Sequence, residues 1–162
     1  MLIGLPGSGK TTIGKRFARS YNLKFLDTDA LIEQRYGYSL QQLMNRHGHK
    51  FIRSIEEQAL SSLNLQNHVI STGGSAVYSE LAMSHLQASS CIVYLQISLA
   101  TLLRRVNNTS NRGLVMLPHY SLPTLYHERL PLYRRWAQVI IDNNRPLTAW
   151  QFDRIAAQIL AA

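Results

Sequence analysis

A chain of 162 residues with 46% hydrophobic and 16% charged residues has the composition of an ordinary folded domain, which excludes collagen-like, low-complexity and largely disordered proteins. No apolar run reaches the roughly 18 residues of a membrane-spanning helix, and no charged segment with a cleavable apolar stretch behind it begins the chain. The sequence therefore predicts a cytoplasmic protein with one domain over residues 1–162 and no membrane partner, and its single Cys91 excludes an internal disulfide.

The net charge of +8 raises the question of a nucleic-acid partner. The basic residues stand singly or in pairs, such as Arg104-Arg105 and Arg134-Arg135, without a basic run or an aromatic-interleaved RNA-binding signature. A positive field also suits a protein that handles a nucleotide and an acidic small molecule. We therefore expect small-molecule ligands and no nucleic-acid partner.

The first motif in chain order is Gly4-Leu5-Pro6-Gly7-Ser8-Gly9-Lys10-Thr11, which fits the phosphate-loop pattern G-x-x-x-x-G-K-[ST] at each fixed position. It lies between an apolar strand over residues 1–3 and a helix over residues 12–21, and the sequence leaves open whether that strand is short or continues upstream of Met1. Glycines let backbone N–H groups surround phosphate oxygens at a helix N-terminus, and the lysine reaches the β and γ phosphates. The motif predicts an ATP site formed by Gly7, Ser8, Gly9, Lys10, Thr11 and Thr12.

A second predicted strand, over residues 23–26, is followed by two carboxylates, Asp27 and Asp29. Ligands of α/β proteins bind at the C-terminal edge of the parallel sheet, where these carboxylates would lie. We predict that the Thr11 hydroxyl and Asp27 hold Mg²⁺, directly or through water, and that Asp29 orients an acceptor hydroxyl as a base. Turn capping is the alternative role for both aspartates.

Residues 30–63 are predicted to be helical without an intervening strand, which suggests a substrate-binding substructure above the sheet edge. A third strand, His68 to Ser71, then ends at Gly73 and Gly74. Paired glycines at a strand end allow close approach of the backbone to a ligand. A tight turn before the next helix is the alternative interpretation.

The remaining chain predicts strands over residues 91–95 and 139–141, with helices after Ser98, over residues 124–135 and after Thr148. The alternation predicts a three-layer α/β/α fold with a five-stranded parallel sheet. Residues 107–122 are polar and proline-containing, and they predict a mobile lid. Arg112 in this lid is a candidate to close on the phosphates as an arginine finger does, and a solvated loop charge is the alternative.

The ordered motifs resemble those of the shikimate kinase family, which consists of P-loop kinases of the nucleoside monophosphate kinase type. The resemblance covers nearly the whole chain and rests on Gly4 to Thr11, Asp27-Thr28-Asp29, Ile52-Arg53 with Glu56-Glu57, Thr72-Gly73-Gly74, Arg112, and Arg129-Leu130-Pro131-Leu132-Tyr133. It implies an ATP- and Mg²⁺-dependent kinase that phosphorylates shikimate, giving shikimate 3-phosphate and ADP in aromatic amino-acid biosynthesis.

The resemblance also implies roles for individual residues. Arg53 and Arg129 would bind the substrate carboxylate, Asp29 would hold the hydroxyl that is phosphorylated, and Gly73 and Gly74 would line the substrate pocket. Guanidinium groups suit this role because they bind carboxylates in a bidentate way. Arg105 and Pro146 would lie against the adenine, and Lys10, Asp29 and Arg112 would be the catalytic residues.

Two positions depart from the family pattern. A third glycine is replaced by Ser75, and the usual Arg-Pro-Leu of the lid is Arg112-Gly113-Leu114. Both lie where substrate choice and closure are decided, so a kinase for another hydroxy acid or amino acid, such as homoserine, stays open. A non-catalytic nucleotide-binding module is a further alternative, and we expect a monomer.

Overall fold

Five short parallel strands rich in apolar residues form the centre of the molecule. In the computed structural model, which describes residues 1–107 and 121–160, the strands are β1 (Leu2–Ile3), β2 (Lys24–Asp27), β3 (His68–Ser71), β4 (Val93–Gln96) and β5 (Val139–Asp142). Their order in the sheet is β2-β3-β1-β4-β5, and each neighbouring pair is parallel. The predicted parallel sheet of five strands is confirmed.

The helices of the described residues are α1 (Lys10–Ser20), α2 (Thr28–Tyr36), α3 (Leu40–Ser61), α4 (Glu80–Ser89), α5 (Leu99–Asn107), α6 (Leu122–Trp136) and α7 (Ala149–Leu160), with a short 3₁₀ helix at Ala76–Tyr78. Local sequence explains several ends. Ser39 and Gln42 form a capping box at the start of α3, and Gly37 ends α2 with a left-handed φ of 72°. No helix in the described ranges has the length and apolar character needed to cross a membrane.

The strand β1 lies in the middle of the sheet, where it joins the two halves. Leu2 pairs with Ser71 of β3 and with Val93 of β4. The phosphate loop follows β1 directly, so it emerges at the centre of the C-terminal sheet edge. The predicted carboxylates of β2 reach the same edge because Asp27 pairs with Ser71 in register.

Alternating side chains of the strands pack against helices on opposite faces of the sheet. Leu2 and Val93 belong to a core with Phe17 of α1 and Phe152 of α7. On the other face, a core forms from sheet, α4 and α6 side chains that include Ile3, Tyr94, Met83 and Tyr133. The two cores on opposite sheet faces produce the predicted three-layer arrangement.

A third, smaller core joins α2 to α3 through Ile32, Leu43, Ile52 and Ile55. The sequence predicts two helices over the range that α3 occupies, and the structure bends there because Gly48 has non-helical angles of φ 78° and ψ 175°. These helices form the predicted insertion between β2 and β3. Of the predicted lid over residues 107–122, residues 108–120, including Arg112, lie outside the described residues.

Candidate active site

The phosphate loop connects β1 to α1 and directs the N-terminus of α1 toward the pocket. Gly9 is the residue before α1 and adopts a left-handed φ of 95°, and no side chain of the described residues caps the first turn. Backbone N–H groups at such an end attract anions. The Lys10 ammonium donates hydrogen bonds to the carbonyl oxygens of Gly4 at 2.8 Å and Leu5 at 3.1 Å. The Lys10 side chain therefore lies over the phosphate loop.

Two residues distant in sequence brace this loop. The amide of Asn143, which is buried, donates to the Ser8 carbonyl at 2.7 Å. The Arg105 guanidinium donates to the Gly7 carbonyl at 3.0 Å and to the Asn143 carbonyl at 2.7 Å. Burial lowers the pKa of Arg105, and the neighbouring Arg104 adds to that effect. Both braces fix the backbone that would face phosphate oxygens.

Hard oxygen donors meet beside the first turn of α1. The Thr11 hydroxyl donates to Asp27 Oδ2 at 3.1 Å, while Asp27 Oδ1 accepts from the Asp29 backbone N–H at 3.2 Å. A hydroxyl and a carboxylate at a phosphate loop are suited to Mg²⁺. Among the residues that the structure describes, no group of three or more histidine, cysteine or acidic side chains could hold a metal ion by itself. A cation here would therefore need water or phosphate oxygens as further ligands.

Asp29 lies deeper in the pocket, opposite the glycine pair. Burial raises the pKa of Asp29 to about 6, and the neighbouring Asp27 adds to the rise, while Lys10 opposes it. Its Oδ1 is buried and has no hydrogen-bond partner among residues 1–107 and 121–160. An unpartnered buried acceptor is costly unless a ligand satisfies it. The carboxylate is thus available to accept a hydrogen bond from a bound hydroxyl.

Because Gly73 has no side chain, the carboxylates of Asp29 and Glu56 can both lie close to it. A methyl group at this position would lie 2.6 Å from Asp29 Oδ1 and 2.7 Å from Glu56 Oε1. Glu56 is buried, and its Oε2 accepts a hydrogen bond from the Ser75 hydroxyl at 2.5 Å. Burial raises the pKa of Glu56 to about 7, an effect that the Ser75 hydrogen bond, Arg129 and Arg53 partly offset.

Arg129 reaches the same pocket from α6. It is only 7% exposed, and its Nε donates to the Tyr78 hydroxyl at 3.2 Å. Its Nη1 faces Gly74, where an added methyl group would lie 2.9 Å away. The Gly74 carbonyl accepts a hydrogen bond from the Tyr133 hydroxyl at 2.7 Å. A buried guanidinium thus borders the glycine pair.

These elements enclose a pocket of about 200 Å³, lined among others by Gly7, Lys10, Thr11, Asp27, Asp29, Glu56, Gly73, Gly74, Ser75 and Arg129. Arg53 lines an adjoining pocket of about 240 Å³ that shares Glu56 and Ser75 with the first. A larger, mainly apolar cavity of about 440 Å³ lies around the N-terminal ends of the strands, and its lining includes none of the predicted site residues.

Comparison with known proteins identifies this arrangement. The family model for shikimate kinase matches residues 6–161. A shikimate kinase from Mycobacterium avium is 42% identical over 148 residues, which cover 90% of this chain and 84% of the relative. The chain belongs to the shikimate kinase family.

Solved structures agree with this membership. The structure of a shikimate kinase from Acinetobacter baumannii in complex with shikimate has a TM-score of 0.83 and 29% identity, covering 98% of this chain and 88% of the other. A deoxyadenosine kinase from M. mycoides with bound dCTP, at 13% identity and a TM-score of 0.61, shares the fold alone and covers 100% of each chain. The shikimate kinase family and the P-loop kinase fold predicted from the motifs are both confirmed.

The structure of this shikimate kinase family member brings most of the predicted site residues together. The phosphate loop, Asp27, Asp29, the glycine pair and Arg129 share one pocket. Arg53 lies beside it with its guanidinium 4.2 Å from the centre of the Tyr78 ring. Arg105 contacts the loop, Pro146 is exposed in the segment between β5 and α7, and Arg112 lies outside the described residues.

Four residues of the shikimate kinase site received no role from the sequence: Glu56, Tyr78, Tyr133 and Asn143. Glu56 and Tyr133 stand within the motifs quoted above, at three residues after Arg53 and four after Arg129, which is helical spacing for a shared face. Tyr78 and Asn143 carry no such local signal. Their roles depend on contacts between segments that are far apart in the chain.

Proposed function

We propose that this protein is an ATP- and Mg²⁺-dependent kinase that transfers a phosphoryl group to a ring hydroxyl of shikimate. The observation that carries the proposal is the shared pocket in which Lys10, Asp29 and Arg129 lie together. The Lys10 ammonium suits phosphate, the Asp29 carboxylate suits a hydroxyl and the Arg129 guanidinium suits a carboxylate. An acceptor with both a hydroxyl and a carboxylate meets that combination.

The phosphate side would be formed by the loop and the start of α1. Backbone N–H groups of Gly7, Ser8 and Gly9 and the Lys10 ammonium would hold the ATP phosphates, with Thr12 beside them. Thr11 and Asp27 supply oxygen donors that would hold Mg²⁺ directly or through water. The ion, when bound, would neutralise charge on the phosphates.

The acceptor side would be formed by Asp29 and the two arginines. The free Oδ1 of Asp29 would accept a hydrogen bond from the reacting hydroxyl and take its proton as the new P–O bond forms. The bond between the γ phosphorus and the bridging oxygen breaks, and that electron pair leaves with ADP. Arg129 and Arg53 would bind the carboxylate of the acceptor, which fixes the ring for in-line attack.

Arg112 keeps its predicted role as a residue that adds positive charge over the phosphates. Arg105, with its contacts to the Gly7 and Asn143 carbonyls, and Pro146 in the segment after β5 would border the nucleotide. A monomer is proposed, as expected from the sequence.

A coupled assay of ADP release with shikimate, homoserine and other small hydroxy acids as acceptors tests the substrate. We expect Mg²⁺-dependent turnover with shikimate and background rates with homoserine. Turnover of homoserine without turnover of shikimate would contradict the proposed acceptor. Activity that survives Lys10→Ala at the wild-type rate would contradict the phosphate site.

Substitution of the acceptor residues tests their roles separately. Arg129→Ala and Arg53→Ala should each raise the KM for shikimate about 10-fold or more, because a hydrogen bond to a charged group contributes about 1.5 to 3 kcal/mol. Asp29→Asn should instead lower kcat by about 10²-fold or more while the KM for ATP stays near wild type. Unchanged KM in both arginine variants would exclude them as the carboxylate site.

A further inference from the structure

Resting on the proposed function, we infer that Tyr78 is a positioning residue that sets the directions of both carboxylate-binding arginines. Its hydroxyl accepts a hydrogen bond from Arg129 Nε at 3.2 Å. Its ring lies under the Arg53 guanidinium, whose central carbon is 4.2 Å from the ring centre. The central carbon of the Arg129 guanidinium also lies 5.3 Å from the ring centre, so one side chain contacts both arginines, Arg53 through its ring and Arg129 through its ring and its hydroxyl.

The hydroxyl contact determines which edge of the Arg129 guanidinium faces the pocket. The Tyr78 hydroxyl donates to Glu128 Oε1 at 2.6 Å, so its lone pairs remain for Arg129 Nε. Nε is engaged by Tyr78, a further hydrogen bond joins the Arg129 side chain to Tyr133, and Nη1 borders Gly74 in the pocket. A carboxylate that approaches from the pocket would find the terminal edge already directed at it.

The Tyr78 ring lies closer to Arg53 than to Arg129, at 4.2 Å against 5.3 Å. Arg53 is exposed on α3 and forms no hydrogen bond or ion pair with any residue in the ranges 1–107 and 121–160. The face of an aromatic ring attracts a guanidinium and lets it stack. The contact with the Tyr78 ring therefore holds the Arg53 guanidinium beside the pocket that contains Arg129.

The position of Tyr78 is itself fixed by buried neighbours. It ends the 3₁₀ helix that follows Ser75, and the two residues before it, Ala76 and Val77, are buried in the main core. The same short segment begins at the glycine pair that lines the pocket. A rigid connection of this kind couples the ring to the pocket wall, which is what a positioning residue requires.

The two contacts can be separated by substitution. Tyr78→Phe removes the hydrogen bonds of the hydroxyl with Arg129 and Glu128 and keeps the ring contact with Arg53, so of the two arginines it should affect Arg129. Tyr78→Leu removes both. We expect the dissociation constant and the KM for shikimate to rise about 3- to 30-fold in Tyr78→Phe and further in Tyr78→Leu, a smaller effect than direct loss of a hydrogen bond to the substrate carboxylate because Tyr78 acts through Arg129. The KM for ATP should stay at the wild-type value.

Tyr94→Phe is the matched control. The Tyr94 hydroxyl is buried and has no hydrogen-bond partner within the part of the chain that the structure describes, and its ring stacks on Tyr133 in the core. Its removal should leave both shikimate constants unchanged. A rise equal to that in Tyr78→Phe would show a general effect of hydroxyl removal and would overturn the inference.

The acceptor without its anionic group provides the decisive readout. The primary amide of shikimate keeps the ring hydroxyls and lacks the carboxylate. With this probe, the dissociation constant of Tyr78→Phe divided by that of the wild type should therefore fall to about one. In double variants, Tyr78→Phe should be non-additive with Arg129→Lys and additive with Arg53→Lys. Equal losses for shikimate and its amide, or additivity with Arg129→Lys, would overturn the role of Tyr78.

Calorimetry of shikimate binding separates this inference from the proposed function. Turnover by the wild-type enzyme reports on the reaction, whereas the ratio of shikimate dissociation constants between Tyr78→Phe and wild type reports on Tyr78. An unchanged ratio with normal wild-type turnover would exclude the positioning role and leave the kinase function standing. A ratio that is raised for shikimate and not for its amide supports the positioning role of Tyr78.

Discussion

The Ser75 hydroxyl donates a hydrogen bond of 2.5 Å to Glu56 Oε2, and this contact joins the end of β3 to the helical insertion. Glu56 is only 6% exposed. Burial raises its pKa to about 7, the nearby Asp29 raises it further, and Ser75, Arg129 and Arg53 lower it. The carboxyl therefore changes its charge near neutral pH, and the strength of its bond to Ser75 changes with it.

Removal of this hydroxyl should destabilise the protein in a pH-dependent way. Below the pKa of Glu56 the carboxyl is neutral, and Ser75→Ala should lower the free energy of unfolding by about 0.5 to 1.5 kcal/mol. Above it the hydroxyl serves a charged acceptor, and the loss should reach about 1.5 to 3 kcal/mol. Urea unfolding at pH 5 and pH 8.5 measures the difference.

The direction of the pH dependence of stability follows from the protons that the folded and unfolded states bind. Because the pKa of Glu56 is raised in the folded state, the protein loses stability as pH rises through neutrality, and the Ser75 bond limits that loss. In Ser75→Ala the pKa of Glu56 rises further, so the loss continues to higher pH and becomes larger. Ser75→Thr keeps a hydroxyl and serves as the control. A loss of stability that is equal at both pH values would show that the bond does not discriminate the ionised form.

Gly73 should tolerate no side chain, because of the two carboxylates that face it. The methyl group of Gly73→Ala would approach Asp29 Oδ1 to 2.6 Å and Glu56 Oε1 to 2.7 Å, which is closer than contact distance. Displacement of Asp29 should lower kcat/KM for shikimate about 10-fold or more, since small misplacements of reacting groups are costly. Steady-state kinetics with varied shikimate measures it.

Gly48→Ala separates crowding at the site from backbone strain. Gly48 has a φ of 78°, and no atom of residues 1–107 or 121–160 lies within 4 Å of the position that a methyl group would take. Alanine there should lower the free energy of unfolding by about 1 to 3 kcal/mol and leave kcat/KM unchanged, because φ 78° with ψ 175° is a backbone conformation open essentially to glycine alone. If Gly73→Ala retained wild-type kinetics, the close approach of the two carboxylates would be excluded as the reason for this glycine.

Local patterns in the sequence predicted the elements that face phosphate. The G-x-x-x-x-G-K-[ST] pattern located the loop, and the aspartates after β2 reach the loop edge because parallel strands end together. Helical periodicity predicted the insertion. The non-helical backbone angles of Gly48 explain why α3 is bent and why the sequence pattern in this range indicates two helices. These features depend on residues within a few positions of one another.

Contacts between distant segments were not predictable in the same way. Ser75 meets Glu56 from 19 positions away, Tyr78 meets Arg129 across 51 positions and Asn143 reaches Ser8 across 135. A serine or a tyrosine after a glycine pair has no local spacing that identifies its partner. The position of Arg53 over an aromatic ring likewise requires the fold, because its ring partner lies 25 positions away on another element.

Asn143 should be needed for nucleotide binding, although it is distant from the phosphate loop in sequence. Its amide donates to the Ser8 carbonyl at 2.7 Å, and its own backbone is held by Gln96 at 2.8 Å. Asn143→Ala leaves a buried carbonyl without this donor and frees the loop to move. The KM for ATP should rise about 10-fold, since an unmade buried hydrogen bond costs about 1 to 3 kcal/mol.

The KM for shikimate should stay within about twofold of wild type in Asn143→Ala, because Asn143 contacts the loop and not the acceptor side. Asn143→Asp should be worse for ATP, since it directs a carboxylate at the Ser8 carbonyl and adds negative charge beside the phosphates. Asn45→Ala is the control, because Asn45 is exposed on α3 and, within the part of the chain that the structure describes, its side chain pairs with that of Gln41. Equal rises in KM for both substrates in Asn143→Ala would indicate general loosening of the fold, and unchanged KM for ATP would show that the loop does not need this donor.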